Sequence, residues 1–177
     1  MEIKFDILKP FFECPNRGYT IRGIAKITKI NHTTVRKYLV YYAKSGLIAK
    51  KQAVPYITFT ANTNSKKYIN LKLYYNLELI RESGLVEKIE KAYNYPPIVL
   101  FGSFSKAENN ENSDIDICIV SDIKKGMDLS EIEKKMSKKA SIRQFTDKAW
   151  KEAKKKNPEL VNNIANGITL SGQLEIL

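Results

Sequence analysis

The stretch that decides the fold is residues 98–120, which read IVLFGSFSKAENNENSDIDICIV. The first four residues are apolar and end at Gly102, a pattern typical of a short buried strand. A polar, asparagine-rich segment follows, and a second apolar run then begins beside Asp114 and Asp116. Because residues two apart on a strand point to the same face, the two carboxylates are predicted to project side by side.

Two adjacent carboxylates repel one another, and a shared divalent cation would cancel that repulsion. Hard oxygen ligands suit Mg²⁺, with Mn²⁺ as the alternative ion, so Asp114 and Asp116 are candidate metal ligands. Gly102 lets a backbone approach a ligand closely, and Ser103 is predicted to cap a short helix whose N–H groups face a phosphate. The pattern therefore indicates a nucleotide-handling site. The alternative is a surface hairpin whose aspartates only keep it soluble.

The order of these features resembles the polymerase-β-type nucleotidyltransferase superfamily, above all its small, mostly prokaryotic members, the minimal nucleotidyltransferases. The likeness lies in an apolar strand, Gly-Ser, about ten further residues and then Asp-x-Asp in a second strand. Residues 104–108 also fit the run that follows Gly-Ser in that family, with Lys106 where arginine is usual. Residues 166–172 are similar to a strand that often closes such domains, so the resemblance covers about residues 85–177.

The resemblance implies transfer of a nucleotidyl group from an NTP, with ATP as the first candidate. It makes Asp114 and Asp116 the catalytic metal ligands, and Gly102, Ser103 and Lys106 the nucleotide-binding residues. It also suggests a protein partner, because minimal nucleotidyltransferases are often paired with small helical toxins of the HEPN class, some of which they nucleotidylate.

Active members of that family carry a third carboxylate on a later strand, beside the first two. Here that strand is predicted over Ser141–Thr146, which contains no acid, and Arg143 or Gln144 stands where the aspartate is expected. Asp147 follows the strand and is predicted to be a helix N-cap instead. The missing acid favours an alternative function, a transcription regulator whose C-terminal domain binds a nucleotide but transfers nothing.

Length and composition are those of an ordinary globular protein. The 177 residues leave room for one large domain or two small ones, and 43% of them are hydrophobic while 28% are charged. No apolar run approaches the length of a membrane span, and the first residues do not form a signal peptide. Cys14 and Cys118 form neither a disulfide framework nor a metal-binding spacing. We therefore expect a cytoplasmic protein with no membrane partner.

The formal net charge of +11 is unevenly distributed along the chain. Residues 1–80 hold 14 Lys/Arg and 4 Asp/Glu, a net charge of +10, whereas residues 81–177 hold 16 and 15, a net charge of +1. Such asymmetry predicts that the N-terminal half binds a polyanion. The alternative is a set of surface lysines that only keep the protein soluble.

The N-terminal half has the pattern of a helix-turn-helix. Thr20 is predicted to cap one helix and Asn31 the next, with a short connection between the helices, as in DNA-binding motifs. Two strands are predicted to follow at Leu47–Lys51 and Tyr56–Thr60, with Pro55 near their turn. This run resembles the winged-helix regulators of archaea and bacteria.

The outward face of the second helix carries side chains suited to phosphate and base-edge contacts, and two lysines of the first strand could reach flanking phosphates. The predicted DNA-binding residues are His32, Thr33, Arg36, Lys37, Lys50 and Lys51. Double-stranded DNA is therefore the predicted partner of this half. The alternative is a winged helix used only for protein contacts or for homodimerisation.

We predict an α+β protein in which an N-terminal winged helix-turn-helix precedes a small α/β nucleotidyltransferase-fold domain with a mixed sheet. The predicted bounds are residues 1–66 for the winged helix, 67–82 for a linker helix and 83–177 for the nucleotidyltransferase-like domain. Three functions stay open: an Mg²⁺-dependent nucleotidyltransferase, a nucleotide-binding transcription regulator, and an antitoxin-like partner of a HEPN-type toxin.

Overall fold

The protein forms two compact units, which are described separately. The structure is a computed structural model that describes residues 3–53 and 56–175. The units comprise Met1–Lys72 and Leu73–Leu177, and the division falls inside the helix Lys66–Ser83. Within the described ranges, none of the helices has the length and apolar character needed to cross a membrane.

Three helices and a two-stranded antiparallel sheet precede the helix that contains the division. The bounds are α1 Phe5–Glu13, α2 Ile21–Thr28, α3 His32–Lys44, β1 Ile48–Ala53, β2 Tyr56–Ala61 and α4 Lys66–Ser83. As predicted, Thr20 caps α2, and its hydroxyl accepts a hydrogen bond from the Gly23 amide at 3.0 Å. Asn31 caps α3 in the same way, as predicted. Both strands end one or two residues later than predicted, and Pro55 lies outside the described residues.

Apolar side chains from the first three helices close the core of the N-terminal unit. Phe11 on α1, Ile24 on α2 and Leu39 on α3 are fully buried. Complete burial of a side chain of this size stabilises the fold by about 1.5–3 kcal/mol. The buried Tyr68 hydroxyl donates a hydrogen bond to the Phe11 carbonyl at 2.7 Å, so its polar group is satisfied.

A mixed four-stranded sheet with the order β5-β4-β3-β6 organises the C-terminal unit. Its elements are α5 Leu85–Tyr93, β3 Ile98–Phe101, α6 Gly102–Ser105, β4 Ile115–Val120, α7 Ser130–Met136, β5 Ala140–Phe145, α8 Asp147–Lys156, α9 Pro158–Ala165 and β6 Ile168–Ser171. β3 pairs antiparallel with β4 and with β6, whereas β4 pairs parallel with β5. Because β3 runs antiparallel to β4, the end of β3 and the start of β4 lie at the same edge of the sheet.

Helices cover both faces of this sheet. One face, which includes Leu100 and Ile117, packs against α5, α7 and residues of α4 that follow the division. The other face, which includes Val99 and Cys118, packs against α8 and α9 through Trp150 and their other buried side chains. Burial on both faces explains why β3, and β4 from Ile117 onward, are continuous apolar runs in the sequence.

The end of α7 and the N-cap of α8 differ from the predicted ones. The sequence predicts α7 as far as Lys139, but the helix ends at Met136, where Ser137 adopts a left-handed conformation with φ of 53°. The sequence also predicts Asp147 as the N-cap of α8, which is wrong. The N-cap is Thr146, whose hydroxyl accepts a hydrogen bond from the Ala149 amide at 3.1 Å, and Asp147 becomes the first helical residue.

Candidate active site

The turn from β3 into α6 brings the backbone against a carboxylate. Phe101, the last residue of β3, is in register with Asp116 on β4. The next residue, Gly102, has a φ of +69°, a left-handed conformation that favours glycine. A Cβ atom at this position would lie 2.5 Å from Oδ2 of Asp116, closer than real Cβ contacts allow. Gly102 therefore lies close to the Asp116 carboxylate, whereas its predicted approach to a ligand stays a prediction.

Ser103 lies inside the four-residue helix α6 and does not cap it. The N-cap residue is Phe101, which has no capping side chain, so the predicted capping role of Ser103 is wrong. The Ser103 carbonyl accepts a hydrogen bond from the Glu108 amide at 2.9 Å, and the Ser105 hydroxyl donates to the Gly102 carbonyl at 2.8 Å. Because α6 is so short, it has little macrodipole, and a phosphate contact here depends on individual amide and hydroxyl donors.

Asp114 and Asp116 lie at the start of β4. Asp114 immediately precedes the strand and is exposed, whereas Asp116 is half-buried. Burial raises the pKa of Asp116, and the negative charge of Asp114 raises it further. A cation bound between the two carboxylates would remove this repulsion.

The neighbouring strand β5 determines which side chain faces this pair. Asp116 is in register with Ser141, and Cys118, two residues further along β4, is in register with Arg143. Residues in register project to the same face of a sheet, so Arg143 shares the face of Asp116. The positive charge of Arg143 lowers the pKa of Asp116, against the larger effects of burial and of Asp114.

The sequence leaves open whether Arg143 or Gln144 stands at the position of the expected third carboxylate, and the structure shows that these two residues point to opposite faces of β5. Gln144 is one residue beyond Arg143 and therefore points to the opposite face. Its side-chain amide donates hydrogen bonds to the carbonyls of Ser121 at 2.9 Å and Ile123 at 2.7 Å. Arg143 is thus the one of these two residues that shares the face of Asp116, and it places a positive charge on that face.

Lys106 follows α6 and borders a cleft of about 580 Å³. Its exposed ammonium group donates a long hydrogen bond, 3.4 Å, to Oδ1 of Asn163 on α9. Gly167 follows α9 and packs tightly against β3. A Cβ atom at this position would overlap the Leu100 carbonyl oxygen, so only glycine fits. Amide side chains form much of the remaining lining, which includes Asn157, Asn162 and Asn166.

The two carboxylates fit a divalent cation that is shared with phosphate oxygens. Carboxylate oxygens suit Mg²⁺ or Mn²⁺, and a cation would relieve the repulsion that raises the pKa of Asp116. Among residues 3–53 and 56–175, no three His, Cys, Asp or Glu side chains gather into a group that could hold a metal ion. Asp114 and Asp116 would therefore supply only part of a coordination shell, and nucleotide phosphates would supply further oxygens.

The residues that hold the segment between Gly-Ser and Asp-x-Asp, residues 104–113, are not among those predicted from the sequence. Asn76 on α4 forms a buried amide pair with Asn109, which belongs to this segment, and Lys138 donates a hydrogen bond to the segment's backbone. Their partners lie 28 or 33 residues away, so no local pattern reveals them. The one sequence signal is that Asn76 is a polar residue four positions before the core residue Ile80 on an amphipathic helix.

The six residues predicted to bind DNA all lie in the N-terminal unit, and all are exposed. Four of them occupy the first two turns of α3, namely His32, Thr33, Arg36 and Lys37. Lys50 and Lys51 lie on β1, in register with Phe59 and Thr58 respectively. Because successive residues of a strand point to opposite faces, these two lysines do not form one patch.

The mixed four-stranded sheet with helices on both faces places this unit among α+β folds. The chain matches the nucleotidyltransferase domain family over residues 82–170, which is 89 of its 177 residues. It belongs to that family, and this membership supports nucleotidyl transfer as its general activity. No curated protein matches the chain.

Proposed function

We propose that the C-terminal unit binds an NTP, with ATP as the first candidate, together with Mg²⁺ or Mn²⁺, and transfers its nucleotidyl group to an acceptor hydroxyl. The observation that supports this most strongly is the contact between the Gly102 backbone and the Asp116 carboxylate, with Asp114 close by. Because residue 102 has no side chain, the carboxylate can lie against the turn that carries Ser103, so that a cation on the carboxylate and phosphates on the turn would be neighbours. Family membership supports the same chemistry.

In the proposed reaction the acceptor oxygen forms a bond with the α-phosphorus while the bond from that phosphorus to the bridging oxygen of the β-phosphate breaks. Pyrophosphate leaves, and the acceptor hydroxyl loses its proton. A bound divalent cation would neutralise phosphate charge, with Asp114 and Asp116 as its protein ligands. The Ser103 hydroxyl and nearby amides would orient the phosphates, and Lys106 would offset charge on the departing pyrophosphate.

The test is transfer of label from α-labelled ATP with Mg²⁺ to the protein, to nucleic acid or to proteins of a cell extract. Asp116→Asn should abolish transfer, because it removes one of the two charges that would hold the cation. Asp122→Asn is the matched control, since Asp122 is an exposed carboxylate just beyond the far end of β4. Equal transfer by the Asp116→Asn variant and the unmodified protein would contradict the proposal. Label on a small helical protein would point to a HEPN-type acceptor.

Arg143 favours a second candidate function, in which the unit binds the nucleotide but transfers nothing. An arginine cannot take the acceptor proton at neutral pH, and it faces the carboxylate pair from β5. In this case ATP with Mg²⁺ raises the melting temperature of the unmodified protein, yet no label is transferred. Arg143→Asp should then create measurable transfer, whereas Gln144→Asp should not, because residue 144 points to the opposite face.

For the N-terminal unit we propose a winged helix-turn-helix that binds double-stranded DNA. The proposal is supported by the order of three helices and an antiparallel strand pair, by the exposed polar start of α3 and by the net charge of +10 in residues 1–80. Cationic side chains that replace counterions on DNA make binding salt-dependent. The double substitution of Arg36 and Lys37 by alanine should weaken duplex binding and flatten its dependence on salt concentration.

Fluorescence anisotropy of a labelled duplex at several salt concentrations measures both effects. Lys9→Ala is the control, because Lys9 is an exposed cation on α1 that is paired with Glu13 at 3.8 Å. If the unmodified protein binds no duplex at low salt, the DNA proposal is wrong. A change of oligomeric state with the α3 substitutions would instead support the homodimer.

A further inference from the structure

The segment between the two motifs, residues 104–113, contains no strand and only the last two residues of α6. It nevertheless connects Ser103 and Lys106 to Asp114. We propose that Asn76 and Lys138, two residues outside both motifs, are positioning residues that hold this segment in the shape needed to bind an NTP. The inference rests on the proposed nucleotide site, and it adds residues that neither motif contains.

Asn76 holds the start and the middle of the segment. It is fully buried on α4, and its side-chain amide donates to the Phe104 carbonyl at 2.9 Å and to Oδ1 of Asn109 at 2.8 Å. The Asn109 amide donates back to Oδ1 of Asn76 at 3.4 Å. A buried amide without such partners is costly, so this pair specifies one arrangement of the segment. Asn76 precedes residue 82, where the family match begins.

Lys138 holds the second part of the segment. Its ammonium group donates to the Asn110 carbonyl at 2.7 Å and to the Glu111 carbonyl at 2.8 Å, and it lies 6.0 Å from the centre of the buried Phe104 ring. One cation thus fixes two successive carbonyls shortly before Asp114. Charged donors make stronger hydrogen bonds than neutral ones, and the half-buried position limits competition from water.

The backbone of the segment needs this support. Ala107 has a φ of 56°, a left-handed conformation that is unfavourable for a residue with a side chain. Strain of this kind persists only where the surroundings over-determine the conformation. Asn76 and Lys138 supply such constraints on either side of Ala107. A segment that is already ordered before the ligand arrives loses less entropy on binding, which raises affinity.

The first test concerns the segment itself and needs no nucleotide. The amides of Glu108, Asn110, Asn112 and Ser113 donate hydrogen bonds within residues 103–113, so their hydrogen exchange reports its order. We expect Lys138→Met to accelerate exchange of these amides at least about tenfold, because it removes two charged hydrogen bonds from the segment. Asn76→Leu should have a similar effect.

Lys135→Met is the matched control. Lys135 also donates from its ammonium group to a backbone carbonyl, but that carbonyl belongs to Glu82, which lies outside the segment. Its removal should leave exchange in residues 108–113 unchanged. Unchanged exchange in both Lys138→Met and Asn76→Leu, or equal acceleration in Lys135→Met, would overturn the inference.

The second test measures the dissociation constant of Mg–ATP and the melting temperature in parallel. Lys138→Met should weaken ATP binding about tenfold while Lys135→Met changes it less than twofold, and Lys138→Arg, which retains the cation, should restore most of the affinity. Variants that melt lower but bind ATP normally would show a merely structural role and overturn the inference. If the unmodified protein binds no ATP, the proposed function fails. The exchange experiment then decides by itself whether Asn76 and Lys138 order the segment.

Discussion

At position 102, any residue other than glycine would be destabilising for two separate reasons. The left-handed φ of +69° disfavours a side chain, and the Asp116 carboxylate occupies the space where a Cβ would lie. Gly84, at the start of α5, has a similar φ of +83° but nothing within 4 Å of the same position. A comparison of substitutions at the two glycines therefore distinguishes the cost of backbone strain alone, at Gly84, from the cost of strain plus a steric collision, at Gly102.

Gly84→Ala should destabilise the protein by about 1 kcal/mol, because only the left-handed conformation is penalised. Gly102→Ala should cost about 2–4 kcal/mol, since the collision with Asp116 adds to the same strain. Thermal or urea unfolding of both variants measures the difference. Equal losses would show that the approach of Gly102 to the carboxylate is not a tight contact.

Asp116 illustrates the conflict between a binding site and stability. Its pKa is raised in the folded protein by burial and by Asp114, so its ionised form destabilises the fold at neutral pH. Asp116→Asn should therefore raise the melting temperature of the ligand-free protein at pH 7. As the pH falls through the raised pKa, the folded protein binds a proton at Asp116 and recovers this loss, and the advantage of the variant should vanish below the ordinary carboxyl pKa.

Melting curves of the unmodified protein and of the Asp116→Asn variant from pH 7 to pH 3.5 test whether the ionised carboxylate destabilises the fold. Asp122→Asn, at an exposed carboxylate, serves as the control and should show no comparable gain. A variant that is less stable than the unmodified protein at pH 7 would mean that the Asp116 carboxylate is stabilised by its surroundings, contrary to the direction of its pKa.

The start of α8 shows how local chemistry misleads at the level of an element. Thr146 and Asp147 are adjacent, and both residue types are good N-caps, so composition alone does not choose between them. The strand β5 ends at Phe145, which leaves Thr146 in an extended conformation with φ of −76° and ψ of 162°, as an N-cap requires. Asp147 then enters the first turn of the helix, where its negative charge is favourable.

Thr146→Ala should lower the free energy of unfolding by about 1 kcal/mol, because the Ala149 amide loses its hydrogen-bond acceptor. Asp147→Ala removes only a favourable charge in the first turn and should cost about 0.5 kcal/mol. Urea denaturation of the two variants measures the contrast. A larger loss for Asp147→Ala would restore the assignment predicted from sequence.

At the scale of the whole molecule, three buried tyrosines of the N-terminal unit have a raised pKa. Burial raises the pKa of Tyr42 and of Tyr19 to about 12, and it raises the pKa of Tyr68 as well. All three residues belong to the N-terminal unit. Their protonated forms are favoured by the fold, so the stability that they contribute is complete below the ordinary tyrosine pKa and is lost as the pH rises towards the raised values.

We therefore expect the free energy of unfolding to fall steeply between about pH 10 and pH 12, by about 1.4 kcal/mol per pH unit for each tyrosine that ionises only on unfolding. Tyr42→Phe should reduce this slope by the contribution of one tyrosine, about 1.4 kcal/mol per pH unit. The substitution also removes the hydrogen bond that the Lys4 amide donates to the Tyr42 hydroxyl at 2.8 Å. Tyrosine absorbance and circular dichroism followed together measure ionisation and unfolding. An unchanged slope would show that Tyr42 ionises in the folded protein.

The sequence by itself determined the helix caps at Thr20 and Asn31, the strands β3 and β4, and the position of Asp116 within β4. These features follow from local rules, because capping, strand alternation and apolar runs depend on residues close together in the chain. Only the tertiary structure decided that Arg143, rather than Gln144, faces Asp116, since that depends on the register between β4 and β5. The same holds for the anchoring of residues 104–113 by Asn76 and Lys138, because contacts between residues distant in the chain leave no periodic pattern in the sequence.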